Sequence, residues 1–224
     1  MSGSDDRMSA SSTAAVVFDC DGVLVDSEAP VIAIDQRMLA DFGVELTLEE
    51  VHARFVGITE AAYHAEIEKM VGQLPDGWRD PYHSLYLRAL HEDLQPIAGV
   101  GDVIAGLTLP TAVASNSSRI RVRESLELVG LLHFFDDRIV SAEDVPHGKP
   151  APDVYLRAAE LLRVPAASCV AVEDSTTGVR AARSAGMTVL GYVDGLTPGH
   201  ALRSAGAITF GSMTELPALL DELA

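Results

Sequence analysis

Five short apolar runs, mostly β-branched, punctuate the chain: AAVVFD at 14–19, TAVAS at 111–115, RIVSA at 138–142, CVAVED at 169–174 and TVLGYV at 188–193. None alternates apolar with polar positions as a half-exposed strand does, so each predicts a strand covered on both faces of a parallel sheet. Between them lie SRIRVRESLELVG, APDVYLRAAELLRV and STTGVRAARSAG, with apolar residues at helical spacing, and two of these segments close on a glycine suited to ending a helix. Strand alternating with helix predicts an α/β fold with a doubly wound parallel sheet.

One interval breaks the alternation. From Ala29 to Pro96 the pattern is helical throughout, with Val31, Ile34, Met38 and Phe42 near helical spacing and Gly43 as a stop. Thr47 and Glu50 then form a capping-box pattern ahead of VHARF. That is too much helix for a simple crossover, so residues 29–96 read as a helical cap subdomain inserted into a core made of 14–28 and 97–224. The insertion leaves the core at the carboxyl end of the first strand and is expected to sit over it. Residues 1–13 are small and polar, without the apolar stretch of a signal peptide, and read as a disordered leader.

Composition narrows the partners. Against 16 basic residues stand 33 acidic ones, for a net charge of −17. Such a surface repels phosphate backbones and anionic bilayers, so no nucleic-acid or membrane partner is expected, and an anionic substrate needs positive charge placed locally. The two cysteines, Cys20 and Cys169, fall inside apolar strand runs and read as buried free thiols, a usage that suits the cytoplasm. Oligomeric state is not legible.

The chemistry gathers at strand ends, where ligands bind in open parallel sheets. Asp19 and Asp21 end the first run with one residue between them, Ser115 and Asn116 follow the second, and Glu173 and Asp174 end the fourth. Four carboxylates in one crevice repel each other and need a hard divalent cation with oxygen ligands, most simply Mg²⁺. Lys149, in HGKPAPD, is the candidate positive charge; Pro150 and Pro152 restrict the backbone there, and Asp153 opens a helix. Blander roles exist: Ser115-Asn116 as an ordinary helix N-cap, Lys149 as a solvated lysine, and Ser175 to Thr177 as a cap and nothing more.

The order D-x-D-G-V-x-x-D, then S-N, then G-K-P, then E-D resembles the haloacid dehalogenase superfamily of phosphotransferases, over nearly the whole chain from Ala14. The helical insertion after the first motif resembles the cap of the subgroup holding sugar-phosphate phosphatases, phosphoglycolate phosphatases and β-phosphoglucomutase. This resemblance implies Asp19 as the nucleophile forming an aspartyl-phosphate, and Asp21 as general acid and base. It makes Ser115, Asn116 and Lys149 the phosphate-binding residues, and sets Mg²⁺ among Asp19, Asp21, Asp174 and Glu173, the last directly or through water. The expected substrate is a small phosphorylated metabolite, a sugar phosphate or sugar-acid phosphate.

A dehalogenase needs neither the second acid nor the acidic cluster, so hydrolysis of a phosphomonoester is expected, with a β-phosphoglucomutase-like phosphomutase as the alternative. In the resembling mutases an arginine follows the G-V-S of the cap loop and a histidine lies early in the first cap helix. Here the loop reads Gly57, Ile58, Thr59, Glu60, and Val31 takes the histidine's place, which favours the phosphatase; Arg54 is a candidate to offset Glu60. Arg54, Glu60, Tyr63 and His64 are the cap residues open to a substrate role, although a solvated helix face is the simpler account of each.

Overall fold

A computed structural model describes residues 13–55, 58–91, 94–193 and 197–224. Of the expected leader only Thr13 is described, its hydroxyl donating to the carbonyl of Leu223 at 3.0 Å; Gly57 of the cap loop lies outside the described residues. The strands are β1 (Ala15–Phe18), β2 (Val25–Asp26), β3 (Gln95–Pro96), β4 (Thr111–Ser115), β5 (Ile139–Ser141), β6 (Cys169–Glu173), β7 (Thr188–Tyr192) and β8 (Ile208–Phe210). The helices are α1 (Glu28–Asp41), α2 (Leu48–Phe55), α3 (Glu60–Val71), α4 (Asp80–His91), α5 (Val100–Gly106), α6 (Arg119–Leu128), α7 (Asp153–Leu162), α8 (Thr176–Ser184), α9 (Gly199–Ala205) and α10 (Leu216–Glu222).

Six strands form one parallel sheet in the order β5-β4-β1-β6-β7-β8. The lack of alternation in the sequence has its cause here. In β1, Val16 and Phe18 enter one apolar cluster with α5, α6 and α10, while Ala15 and Val17 enter another with α7, α8 and α9. β4 and β6 divide in the same way, so the buried apolar positions of the central strands alternate between the two helix layers. The second face is alanine-rich, which brings α7 and α8 close to the sheet. Both cysteines are buried and free. β8 had no signal in the hydrophobic pattern: ITF is short, lies at the sheet's edge, and leaves Ile208 exposed.

Helices α1 to α4 occupy the interval expected to be helical. Their buried apolar residues, from Ile32 to Tyr82, form a cluster separate from the two that cover the sheet. The insertion leaves and re-enters through β2 and β3, which pair antiparallel, Val25 opposite Pro96. The Thr47–Glu50 capping box is formed, with reciprocal bonds of 2.9 and 3.2 Å, and Gly43 takes the positive φ of 82° that stops α1. No helix among the described residues is long and apolar enough to cross a membrane.

Candidate active site

β1 lies between β4 and β6, so the sheet's strand order reverses about it and the three carboxyl ends converge. Asp19 follows β1 directly, its N–H donating to the carbonyl of Val172 at 2.9 Å. Its Oδ1 accepts the N–H of Cys20 at 2.7 Å and lies 2.8 Å from Lys149 Nζ, which also stands 2.6 Å from Glu173 Oε1. The Lys149 side chain is only 1% exposed, so it is not the solvated lysine of the bland reading. An ammonium so buried persists because two carboxylates satisfy it.

Glu173 is held by several partners at once. Its Oε1 also accepts the Tyr155 hydroxyl at 2.5 Å, and its Oε2 accepts the backbone N–H and the hydroxyl of Ser175 at 3.3 and 3.1 Å. Ser175 is the N-cap of α8, accepting from the Gly178 N–H at 3.0 Å, so it caps the helix and braces Glu173 together. The carboxylate lies so close to α8 that a Cβ on Gly178 would fall 1.7 Å from Oε1. Glycine is required there by space.

Asp21 faces the other way. Gly22, at φ 75°, turns the chain beyond it, and its carboxylate accepts from Ser27 Oγ at 2.5 Å and Ser117 Oγ at 2.8 Å, with the Arg121 guanidinium 3.6 Å away. The helix following β4 is capped by Ser118, not by Ser115 or Asn116. Ser115 Oγ accepts the Ser117 N–H at 3.0 Å, and the Asn116 amide clasps Lys149: its Oδ1 accepts the lysine N–H at 2.7 Å and its Nδ2 donates to the lysine carbonyl at 3.1 Å.

Carboxylate oxygens of Asp19, Glu173 and Asp174 lie within 4.8 Å of one another, all three residues buried. This all-oxygen donor set fits a hard divalent cation such as Mg²⁺. The carboxylate of Asp21 is not in that group; its oxygens are taken up by the two serines and Arg121.

Asp19, Asp21, Ser115, Asn116, Lys149 and Asp174, but not Glu173, line one side of a cavity of about 420 Å³ whose opposite wall is built by the insertion: Asp35 from α1, Tyr63 from α3, Arg79 ahead of α4, and Tyr86 within it. Of the four cap candidates named from sequence, Glu60 and Tyr63 line the cavity. Arg54 instead reaches Met70 Sδ (3.5 Å), and His64 pairs with Glu68 (3.6 Å). Glu60 is offset by Arg79, at 3.0 Å, and not by Arg54. Val31, at the position aligned with the mutase histidine, lines the cavity. Sequence reasoning missed Asp35, Arg79, Tyr86, Tyr155, Ser27, Ser117 and Arg121. Asp35 had a signal: an acid on the buried stripe that Ile32 and Leu39 define.

Burial, reinforced by Glu173, pushes Asp19 up to about 8 against the pull of Lys149. Burial also works to raise Asp21, but Arg121 and the bonds from Ser27 and Ser117 outweigh it and hold that carboxyl below its ordinary value. For Lys149 burial opposes the charge, and Asp19 with Glu173 overcomes it, keeping the ammonium above the usual lysine range.

A chain with this fold and this site belongs to the haloacid dehalogenase-like hydrolase family, whose profile matches residues 16–192. Among curated relatives it is 31% identical to the 6-phosphogluconate phosphatase of Escherichia coli, over 92% of this chain and 93% of that one. It is 32% identical to the β-phosphoglucomutase of Bacillus subtilis, over 81% and 84%. A solved hydrolase of the same family from Deinococcus radiodurans, with bound phosphate and sodium, shares 32% identity at a TM-score of 0.77, covering 95% of this chain and 97% of that one.

Proposed function

We propose that this protein is a Mg²⁺-dependent phosphatase of small phosphomonoesters, sugar phosphates or sugar-acid phosphates, working through an aspartyl-phosphate. The observation that carries the reading is Asp19, fixed by Lys149 at the floor of a cavity of about 420 Å³ that an insertion with its own apolar core closes from above. Asp19 and Asp174 would hold the cation, which would neutralise phosphoryl charge and bring Asp19 to its ionised form. Glu173, with all its bonds directed at Lys149, Tyr155 and Ser175, serves to anchor the lysine.

Asp19 attacks phosphorus in line with the ester oxygen; the P–O bond to the alcohol breaks and the leaving alkoxide takes a proton from Asp21. In the second half, water attacks the aspartyl-phosphate and Asp21 takes the water's proton; Asp19 is restored as inorganic phosphate leaves, and Asp21 gives up its proton to the departing phosphate or to solvent. Arg121 and the serines hold the Asp21 carboxyl below its ordinary value, so for the first half Asp21 has to take up a proton, from the substrate's monoanion or from solvent. Ser115, Asn116 and Lys149 meet the phosphoryl oxygens. Phosphate release from a panel of metabolite phosphates, with and without Mg²⁺, tests the reading; no turnover on any of them overturns it.

The mutase alternative keeps one specific support: Arg79 places a cation on the far wall where a second phosphate would sit, beside the Glu60 whose charge it offsets. Incubation with β-glucose 1-phosphate and a trace of the 1,6-bisphosphate separates the two. The expected result is phosphate release; glucose 6-phosphate formation outrunning it makes the protein a mutase.

A further inference from the structure

Asp35 is the unexplained acid of the cavity. It is 4% exposed, lines the cavity from the insertion, and stands on the wall opposite the carboxylate cluster. Its Oδ1 accepts the Tyr63 hydroxyl at 2.6 Å and the Tyr86 hydroxyl as well. Its Oδ2 has no hydrogen-bond partner among the described residues. That oxygen is not among the buried side-chain atoms left without a partner, so it is open on a residue that lines the cavity and is available to a donor brought there by a ligand.

The mounting is rigid. The Tyr63 ring stacks with Trp78 at 6.5 Å between centroids, tilts against Phe55 at 5.0 Å, and carries the Arg79 guanidinium 4.3 Å above its face. Asp35 is thus held in one orientation by a hydroxyl that itself cannot wander, which is how a recognition group is preorganised. Oδ2 only accepts, so it asks for a donor. An ammonium is disfavoured because Arg79, Arg121 and Lys149 line the same cavity. A neutral hydroxyl meets no such repulsion.

We propose that Asp35 is a specificity-determining residue whose Oδ2 accepts a substrate hydroxyl remote from the phosphoryl group, so that the substrate is a polyhydroxylated phosphomonoester and not a short one without free hydroxyls. The proposal rests on the phosphatase reading. It predicts that hexose phosphates and aldonic-acid phosphates outrank phosphoglycolate, which has no hydroxyl to offer.

Asp35→Asn is the discriminating variant. It is isosteric, its Oδ1 still accepts from both tyrosines, and only the Oδ2 acceptor becomes a donor. The experiment measures kcat and KM of wild type, Asp35→Asn and Tyr86→Phe on the best hexose or aldonic-acid phosphate, on phosphoglycolate and on p-nitrophenyl phosphate. Expected for Asp35→Asn is a loss of about 10- to 100-fold in kcat/KM on the polyhydroxylated substrate, carried mainly by KM, with p-nitrophenyl phosphate turnover within about 2-fold of wild type. Tyr86→Phe, which loosens the acid without removing it, follows the same split at smaller size. An equal loss on all substrates makes Asp35 merely structural and overturns the proposal, as does an unchanged Asp35→Asn or a wild type that prefers phosphoglycolate. A wild type that hydrolyses nothing, p-nitrophenyl phosphate included, overturns the phosphatase reading itself, a result distinct from the others.

Discussion

Asp21 and Asp35 face the same cavity from opposite walls, and each accepts from two hydroxyls: Asp21 from Ser27 and Ser117, Asp35 from Tyr63 and Tyr86. Their electrostatics nevertheless diverge. Burial is the largest influence on both, yet Asp21 ends below its ordinary value and Asp35 above it. The difference lies in the cation. Arg121 stands 3.6 Å from Asp21, whereas Asp35 has no ion pair among the described residues and feels Arg79 and Arg121 only from farther away. Two hydroxyl donors with more distant cations do not offset desolvation; two hydroxyl donors with an adjacent guanidinium do. The contrast fits the division proposed above, proton and charge transfer at the core wall and a neutral partner at the insertion wall.

Variants on the core wall are accordingly expected to depress turnover of every substrate, and those on the insertion wall to act selectively. Asp19→Asn has the largest expected effect, on the order of 10⁴-fold or more in kcat on p-nitrophenyl phosphate and sugar phosphates alike, since it removes the attacking oxygen. Steady-state turnover near wild type would break the comparison at its root. Asp21→Ala should cost about 10²- to 10⁴-fold and slow both formation and breakdown of the phosphoenzyme in rapid-quench measurements. Slowing of one half alone would restrict Asp21 to a single role.

Asp19 also sets a pH dependence in the metal-free protein. With its pKa raised to about 8, a cation arriving at lower pH has to displace a proton, so apparent Mg²⁺ affinity should fall by up to about 100-fold between pH 8 and pH 6. The sign is fixed: weaker binding in acid, and a plateau above about pH 8. Calorimetric titration at a series of pH values checks it, and pH-independent binding would mean that Asp19 is not a ligand. Gly178→Ala should act through packing, because its Cβ would fall 1.7 Å from Glu173 Oε1. The carboxylate must swing away, loosening Lys149, at a cost of about 1–3 kcal/mol in stability. A melting temperature and kcat both equal to wild type would show that Glu173 has room the geometry denies it.

The two walls also differ in how far the sequence reveals them. Asp19, Asp21, Ser115, Asn116, Glu173 and Asp174 sit at the ends of apolar strands, and a parallel sheet converts such offsets into proximity; Lys149, eight residues past β5 and ahead of α7, was legible only through its GKP motif. The insertion has no such ruler. Arg79 and Tyr86 reach the cavity through the packing of α3 and α4 against α1, which depends on aromatic contacts such as Phe55 on Tyr63 that helical periodicity does not encode. Tyr155 was hidden for a different reason: it reads as one more apolar position of α7, and only its hydroxyl on Glu173 shows otherwise. Ser27 and Ser117 reach Asp21 by turns, whose geometry short polar stretches do not specify.

The smallest expected effect refines the contrast between the two aspartates. Arg121 pairs with Asp21 across 3.6 Å with side-chain exposures of 42% and 24%, so solvent screens the interaction. Arg121→Gln removes the cation while Ser27 and Ser117 remain, and the Asp21 carboxyl should rise toward the value that burial sets. In the proposed mechanism, hydrolysis of the aspartyl-phosphate requires Asp21 ionised, so the acid limb of the kcat–pH profile should move to higher pH, by less than about one unit, and move less at high salt. Rates well above that limb stay near wild type, because there Asp21 is ionised in both proteins. A limb that shifts downward would mean that Arg121 acts on the substrate instead of on Asp21, and a limb that does not move at low salt would leave the two serines as the whole cause of the difference between Asp21 and Asp35.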